Sequence, residues 1–166
     1  PLNTAVGAVA GSLPIAIGWF AVDGQEQFLT GNVSATLAVA ALGTVLYLWQ
    51  FPHFMAIAWL YRDQYRRAGL KMLTVTDPSG LRAAGQSLAA SLAMVPVSLS
   101  MAVPSGSIRM FLAAALASTL YVLVSVNFAF RRDDRSARIL LFASLGVLLV
   151  LMTSAIAFSI PKVLSG

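Results

Sequence analysis

The sequence predicts an all-α fold, a polytopic transmembrane helical bundle of about five spans, on three observations. Of its 166 residues 58% are apolar, and the mean hydropathy is +0.82. Only 10% are charged, far below the roughly 25% of an average soluble domain. A soluble domain of this size would have to cover its surface with charges the chain does not possess. Finally, the apolar residues gather into five runs, most of them close to the ~20 residues a helix needs to cross ~30 Å of hydrocarbon, with the charges collected between them.

The first run, about Ala5 to Val22, holds Gly7, Gly11, Pro14 and Gly18. Gly7 and Gly11 form a small-xxx-small spacing, which lets a neighbouring backbone approach closely where lipid gives helices no hydrophobic push to associate. Packing and lining of a substrate cavity are both compatible with it. Residues 23–32 are polar, with Asp23, Gly24, Glu26 and Gly31, and read as a loop. The second run, about Val33 to Tyr61, exceeds one straight crossing and must tilt or project beyond the bilayer. Pro52 inside it removes one backbone hydrogen bond, and a kink is expected near Leu48 to Pro52. The third run spans about Ala83 to Val103 and closes at the Pro104-Ser105-Gly106 turn; the fourth covers about Ile108 to Phe130. The fifth, about Ile139 to Ile160, is stopped by Pro161. The whole reads as a single membrane domain over residues 1–166, with no soluble domain and no low-complexity tract, and the similar helix lengths are what the bilayer imposes and no evidence of an internal repeat.

The net charge of +5 sits in two short connections and is not spread over a nucleic-acid-binding face, so nucleic acid is excluded as a partner. Arg62, Arg66, Arg67, Lys71 and Arg82 fall in residues 62–82, and Arg131, Arg132, Arg135 and Arg138 in 131–138, whereas the other loops and the tail hold only Arg109 and Lys162. The positive-inside rule places both basic connections on the cytoplasmic side, or the matrix side in a mitochondrion. The absence of cysteine excludes disulfides and thiolate metal sites. The chain opens on Pro1 with no basic segment before the first apolar run, so a signal peptide is not expected and a fragment is.

The chemistry concentrates between Trp49 and Pro78. His53 is read as the one ionisable side chain well inside an apolar run, and polar groups there face a bundle interior or a cavity because lipid exposure is costly. Trp49 and Gln50 lie one turn before it. The residues alone leave two readings of His53: a neutral histidine bonded to a neighbouring helix, or a contact to haem or another substrate. If the second helix continues past Tyr61, Arg62, Tyr65 and Arg66 share one face, and Asp63 and Arg67 another. Arginines beside a carboxylate at a membrane surface suit a diphosphate, the arginines binding its oxygens and the carboxylate holding Mg²⁺. An ordinary basic loop touching lipid phosphates is the other reading of the same charges.

Trp49-Gln50-Phe51-Pro52-His53-Phe54, Tyr61-Arg62-Asp63-Gln64-Tyr65, Ala68-Gly69, Met72-Leu73 and Val75-Thr76-Asp77-Pro78 resemble, in order and spacing, the second signature region of the protohaem IX farnesyltransferases (haem O synthases). These belong to the UbiA superfamily of intramembrane prenyltransferases. The opening Pro1-Leu2-Asn3-Thr4, with Gly7, Gly11, Pro14 and Gly18-Trp19, resembles the segment upstream. The resemblance implies a UbiA-type bundle with nine helices in the full fold, of which this chain would be the C-terminal five. The family's first aspartate-rich motif has no counterpart here, Gln64 stands where an acidic residue commonly precedes the signature tyrosine, and Arg67 stands where wider relatives carry a second carboxylate.

On that resemblance the implied reaction transfers farnesyl from farnesyl diphosphate to a vinyl group of protohaem IX (haem b), giving haem O and diphosphate. Asp63, Arg62, Arg66 and Tyr65 would be catalytic, and Asp63 and Asp77 would be the metal ligands for Mg²⁺. His53, Trp49, Gln50, Arg67 and Lys71 would contact haem or farnesyl diphosphate. The expected partners are these two substrates and the bilayer, with haem A synthase or a terminal oxidase assembly downstream. The expected location is the bacterial cytoplasmic membrane or the mitochondrial inner membrane, and the chain alone would be inactive. A prenyltransferase for an aromatic quinone precursor is the alternative of the same class. A non-catalytic transporter or assembly subunit is the alternative of another.

Overall fold

A computed structural model describes residues 3–158, all of whose regular structure is helical. Pro1, Leu2, Ile160, Pro161 and Lys162 lie outside the described residues. The chain runs through α1 (Asn3–Ala21), α2 (Gly24–Leu29), α3 (Val33–Leu60), α4 (Arg62–Arg67), α5 (Leu73–Thr76), α6 (Leu81–Ser100), α7 (Ile108–Arg131) and α8 (Asp134–Phe158). Five of these, α1, α3, α6, α7 and α8, are long and apolar enough to cross a membrane.

The ends of the spans follow local hydrogen bonding more closely than hydropathy. The stretch read as a polar loop contains α2, after which Asn32 caps α3 by accepting from the Ala35 amide at 3.1 Å. The last span begins at Asp134, not at Ile139, so residues 134–138 are its first turns and not a connection. Asp133 causes this: its Oδ1 accepts from the Ser136 amide at 2.7 Å, while the Asp133 amide donates back to Ser136 Oγ at 3.3 Å, a reciprocal cap. Asp134 then adds a carboxylate to the positive end of the helix. The third span starts at Leu81, and residues 101–103 close it with tighter turns, as in Ala102 N–H to Leu99 O at 3.1 Å.

α3, at 28 residues, is ~42 Å long and exceeds the ~30 Å hydrocarbon core. It continues through Pro52 and packs against α1, α6 and α8; α7 in turn packs between α6 and α8. The arrangement is a ring of α3, α6, α7 and α8 with α1 added on the outer side of α3. The ring closes over Val45, Met94, Tyr121, Phe128, Leu140 and Leu151, all fully buried. On α8 the buried positions are the capping Ser136 and then 137, 140, 144, 147, 151 and 154, the latter with the alternating three-and-four spacing of a helix–helix seam. Serine recurs on such seams because it is small and answers its own hydroxyl. Ser87 donates to Ala83 O at 2.8 Å and Ser118 to Ala114 O at 2.7 Å, so these two buried hydroxyls need no partner across the interface.

α1 is tied to α3 by a hydrogen bond across the helix interface, beside the packing of Ala8 on Phe51 and Ala90. Gln50 on α3 is buried and donates from Nε2 to Ala8 O at 3.1 Å and to Leu46 O at 3.0 Å. A Cβ on Gly11 would run into that amide, whereas one on Gly7 would meet open space, so the close approach is made at Ala8 and Gly11. Gly11→Ala should therefore displace the Gln50 amide and lower stability by about 1 kcal/mol, the scale of one hydrogen bond between membrane helices. In equilibrium unfolding by denaturing detergent, the same change made on Gln50→Ala should cost clearly less; full additivity would contradict the contact.

Candidate functional site

The end of α3 carries the first basic connection, and Trp59 is its pivot. The Trp59 ring is buried against Phe128 of α7, edge to face at 6.0 Å, and Gly80, at φ +72°, lies so close beneath it that a Cβ there would overlap the ring. α5 is pinned to the same end of α3 by Thr74, whose Oγ1 donates to Ala58 O at 2.7 Å. The helix breaks at Tyr61 and resumes as α4, with Arg62 folded back: its guanidinium stacks over Trp59 at 4.7 Å and Nη1 donates to Trp59 O at 2.7 Å. The same nitrogen reaches Asp134 Oδ1 at 2.8 Å. That ion pair joins the two basic connections, which therefore lie at one end of the bundle.

The rest of α4 faces outward. Asp63 Oδ1 pairs with Arg66 Nη1 at 3.2 Å, with both side chains more than half exposed, and Asp63 Oδ2 accepts no hydrogen bond among the described residues. Tyr65 is half-buried, whereas Gln64, Arg67 and Lys71 are exposed. The pairing of Asp63 is thus with Arg66, one turn on, and not with Arg67. Asp77 is engaged differently. Its Oδ1 accepts from Ser79 Oγ at 2.5 Å and from the Ser79 amide at 3.2 Å, and Oδ2 accepts from the Arg82 amide at 2.8 Å. This closes the turn that launches α6. The Ser79 hydroxyl first, and then the Arg82 amide, hold the Asp77 carboxyl below the ordinary aspartate range.

These carboxylates bear directly on Mg²⁺. No group of three histidine or acidic residues converges among the described residues, and both Asp77 oxygens already accept hydrogen bonds, Oδ1 two and Oδ2 one. Mg²⁺ commonly uses one or two carboxylates and fills its remaining positions with substrate phosphates and water. Asp63, exposed and with one free oxygen, fits as a single such donor.

Deeper in the bundle, one turn of α3 makes bonds to three helices. Trp49 Nε1 donates to Ser144 O on α8 at 2.6 Å, and its ring stacks on His53 at 4.7 Å. Tyr121 on α7 donates from its hydroxyl to Trp49 O at 2.8 Å, beside the turn that Pro52 deprives of an amide. Gln50 reaches α1 as described. His53 Nδ1 lies 2.8 Å from Ser144 Oγ. Ser144 has one hydroxyl proton, and its Oγ stands 2.5 Å from Leu141 O, so that proton is committed there. The Ser144 oxygen is then the acceptor and His53 Nδ1 the donor; in the neutral ring this leaves Nε2 with a bare lone pair.

The arrangement therefore separates two groups of residues. Trp49, Gln50, His53 and Arg62 tie helices together, while Asp63, Arg66, Arg67 and Lys71 form an exposed, charged face. Among the described residues, no hydrogen bond or ion pair links Asp63 to Asp77 or either to His53. Sequence reading missed Tyr121, another ionisable group inside an apolar run, which its position in the fourth run could have flagged. It also missed Ser144, Thr74 and Asp134, whose side chains gain meaning only from partners distant in the chain.

Comparison with known proteins settles the family. A model of the UbiA prenyltransferase family matches residues 1–148. The chain belongs to that family. Among curated UbiA relatives, a protoheme IX farnesyltransferase of Rhodopirellula baltica is 41% identical over 154 residues, covering 88% of this chain and 51% of that protein. One from Solibacter usitatus is 39% identical over 143 residues, covering 86% and 46%. A mitochondrial protoheme IX farnesyltransferase of Arabidopsis thaliana is 42% identical over 97 residues, covering 58% and 20%. The chain spans about half the length, or less, of these relatives. No solved structure matches. As a UbiA family member it is an integral membrane protein, built on the five long apolar helices described.

The Asp77 turn makes a pH prediction. A carboxylate with a depressed folded-state pKa contributes stability that is present above its unfolded pKa and is lost as pH falls through the folded value. Carboxyl ¹³C titration in micelles should place the Asp77 midpoint below the ordinary value of about 3.9, and Ser79→Ala should raise it. A midpoint unmoved by Ser79→Ala would contradict the assigned cause.

Proposed function

We propose that this chain contributes the diphosphate-binding side of an enzyme that transfers farnesyl from farnesyl diphosphate to a vinyl group of protohaem IX, forming haem O. The observation that carries the reading is the exposed Asp63–Arg66 pair with Arg67 and Lys71 at the end of an apolar bundle. The curated relatives, each named protoheme IX farnesyltransferase, support the choice of prenyl donor and haem acceptor. Its five spans correspond, on this reading, to the C-terminal five of the family fold, within a single membrane domain. The two basic connections joined by Arg62 and Asp134 face the cytoplasm or the matrix.

Arg66, Arg67 and Lys71 bind diphosphate oxygens, and Tyr65 donates a hydrogen bond to them. Asp63 would hold Mg²⁺, which when bound would neutralise the leaving diphosphate. Arg62 is a positioning residue, since its Nη1 joins the Trp59 carbonyl to Asp134 while the guanidinium stacks on the Trp59 ring. Loss of diphosphate leaves an allylic farnesyl cation. The haem vinyl π-pair attacks its terminal carbon, and water adds to the resulting cation beside the porphyrin and loses a proton, giving the hydroxyethylfarnesyl chain. Apolar helix walls keep water from the first cation. His53, with a bare Nε2, suits haem iron better than a propionate carboxylate, which a lone pair would repel; Trp49, stacked on His53, orients the imidazole.

Asp63→Asn in the full-length protein should lower Mg²⁺-dependent diphosphate release from farnesyl diphosphate with haem by at least about tenfold, the usual scale of a lost electrostatic contact to the leaving group. Membrane insertion should be unchanged. Equal rates for Asp63→Asn and wild type would overturn the assignment of this face.

A further inference from the structure

A second amphipathic site lies away from α4. A cavity of about 590 Å³ opens between α7 and α8, with Leu120, Val124, Ile139 and Phe142 along its body and Arg135 and Arg138 at its charged end. We propose that this groove binds an anionic phospholipid, the phosphate held by Arg135 and Arg138 and one acyl chain laid along Leu120 and Phe142.

The charge balance favours an anion. Asp134 also lines the cavity, but its Oδ1 is bonded to Arg62. Asp133 Oδ1 is bonded to the Ser136 amide. Neither Arg135 nor Arg138 makes an ion pair among the described residues. Both arginines stand in the first turns of α8, where the helix end is already positive, an unfavourable place for a cation that a bound phosphate would offset. The apolar body points to a lipid tail. Leu120 and Phe142 are 51% and 69% exposed, so the groove opens outward from the ring and is not enclosed within it. From Arg135 to Phe142 the helix rises by ~10 Å, which carries the lining from headgroup depth into the acyl region. Two arginines that make no ion pair match the single charge of a phospholipid phosphate.

Native mass spectrometry of the purified protein, titrated with phosphatidylglycerol or with phosphatidylcholine of identical chains, tests this. Phosphatidylglycerol adducts should form preferentially. The double substitution Arg135→Gln and Arg138→Gln should weaken them by about tenfold or more without altering phosphatidylcholine binding, and Arg109→Gln at the opposite end should have no effect. Equal binding of the two lipids, or phosphatidylglycerol binding unchanged by the double substitution, would overturn the proposal. So would one-for-one displacement by farnesyl diphosphate, which would assign the groove to the prenyl substrate. Should the double variant fail to fold, Phe142→Trp supplies a second reading: brominated phosphatidylglycerol should quench the added fluorescence more strongly than brominated phosphatidylcholine, and equal quenching would reject the site.

Discussion

The hydrogen bonds that leave a single turn of α3 are the constraint on which the bundle depends. In hydrocarbon, apolar faces gain little by meeting one another, and close packing with paired polar atoms must hold helices together. Trp49 and His53 reach α8, Gln50 reaches α1, and Tyr121 of α7 closes on the Trp49 carbonyl. Pro52 sits among them, and the Tyr121 hydroxyl supplies a donor next to the backbone bond that proline cannot make. The residues that most distinguish the sequence are thus also the ones that fix which helices are neighbours.

From that turn the consequences run along α3 to its exit. Because α3 is longer than the bilayer is thick, its last turns carry Trp59 out to where the basic connections begin. Trp59 then organises both of them: Gly80 approaches its ring from one loop, Arg62 stacks on it, and Arg62 continues to Asp134 at the start of α8. A charge that would otherwise be free for substrate is thereby used to brace the frame. What remains exposed is Asp63 with Arg66, and beside them Arg67 and Lys71. The chemistry of the face follows from this division, since a carboxylate with one free oxygen among several cations can share a metal with a diphosphate.

Much of the fold was legible in the sequence because hydropathy alone counts membrane spans, and the nine basic residues within 62–82 and 131–138 marked those two stretches as belonging to one end of the bundle. The start of α8 was not legible, since residues 134–138 look like a charged connection until Asp133 and Ser136 are seen to cap each other. The block from Trp49 to His53 stood out as a motif, yet its roles did not, because Ser144 lies 95 and 91 residues from its partners Trp49 and His53, and Ala8 lies 42 from Gln50. Asp77 shows the same limit. As a residue type it suits a metal, and only the Ser79 and Arg82 contacts show that it also closes the turn before α6.

The most direct test of the account is the identity of the product made by the full-length protein in membranes given farnesyl diphosphate, Mg²⁺ and haem, read by chromatography and mass spectrometry of the extracted pigments. The account predicts a haem carrying one farnesyl group and one added water, with diphosphate released in equal amount. A prenylated phenol formed from an added quinone precursor in place of that haem, or an unmodified haem with no diphosphate released, would contradict it.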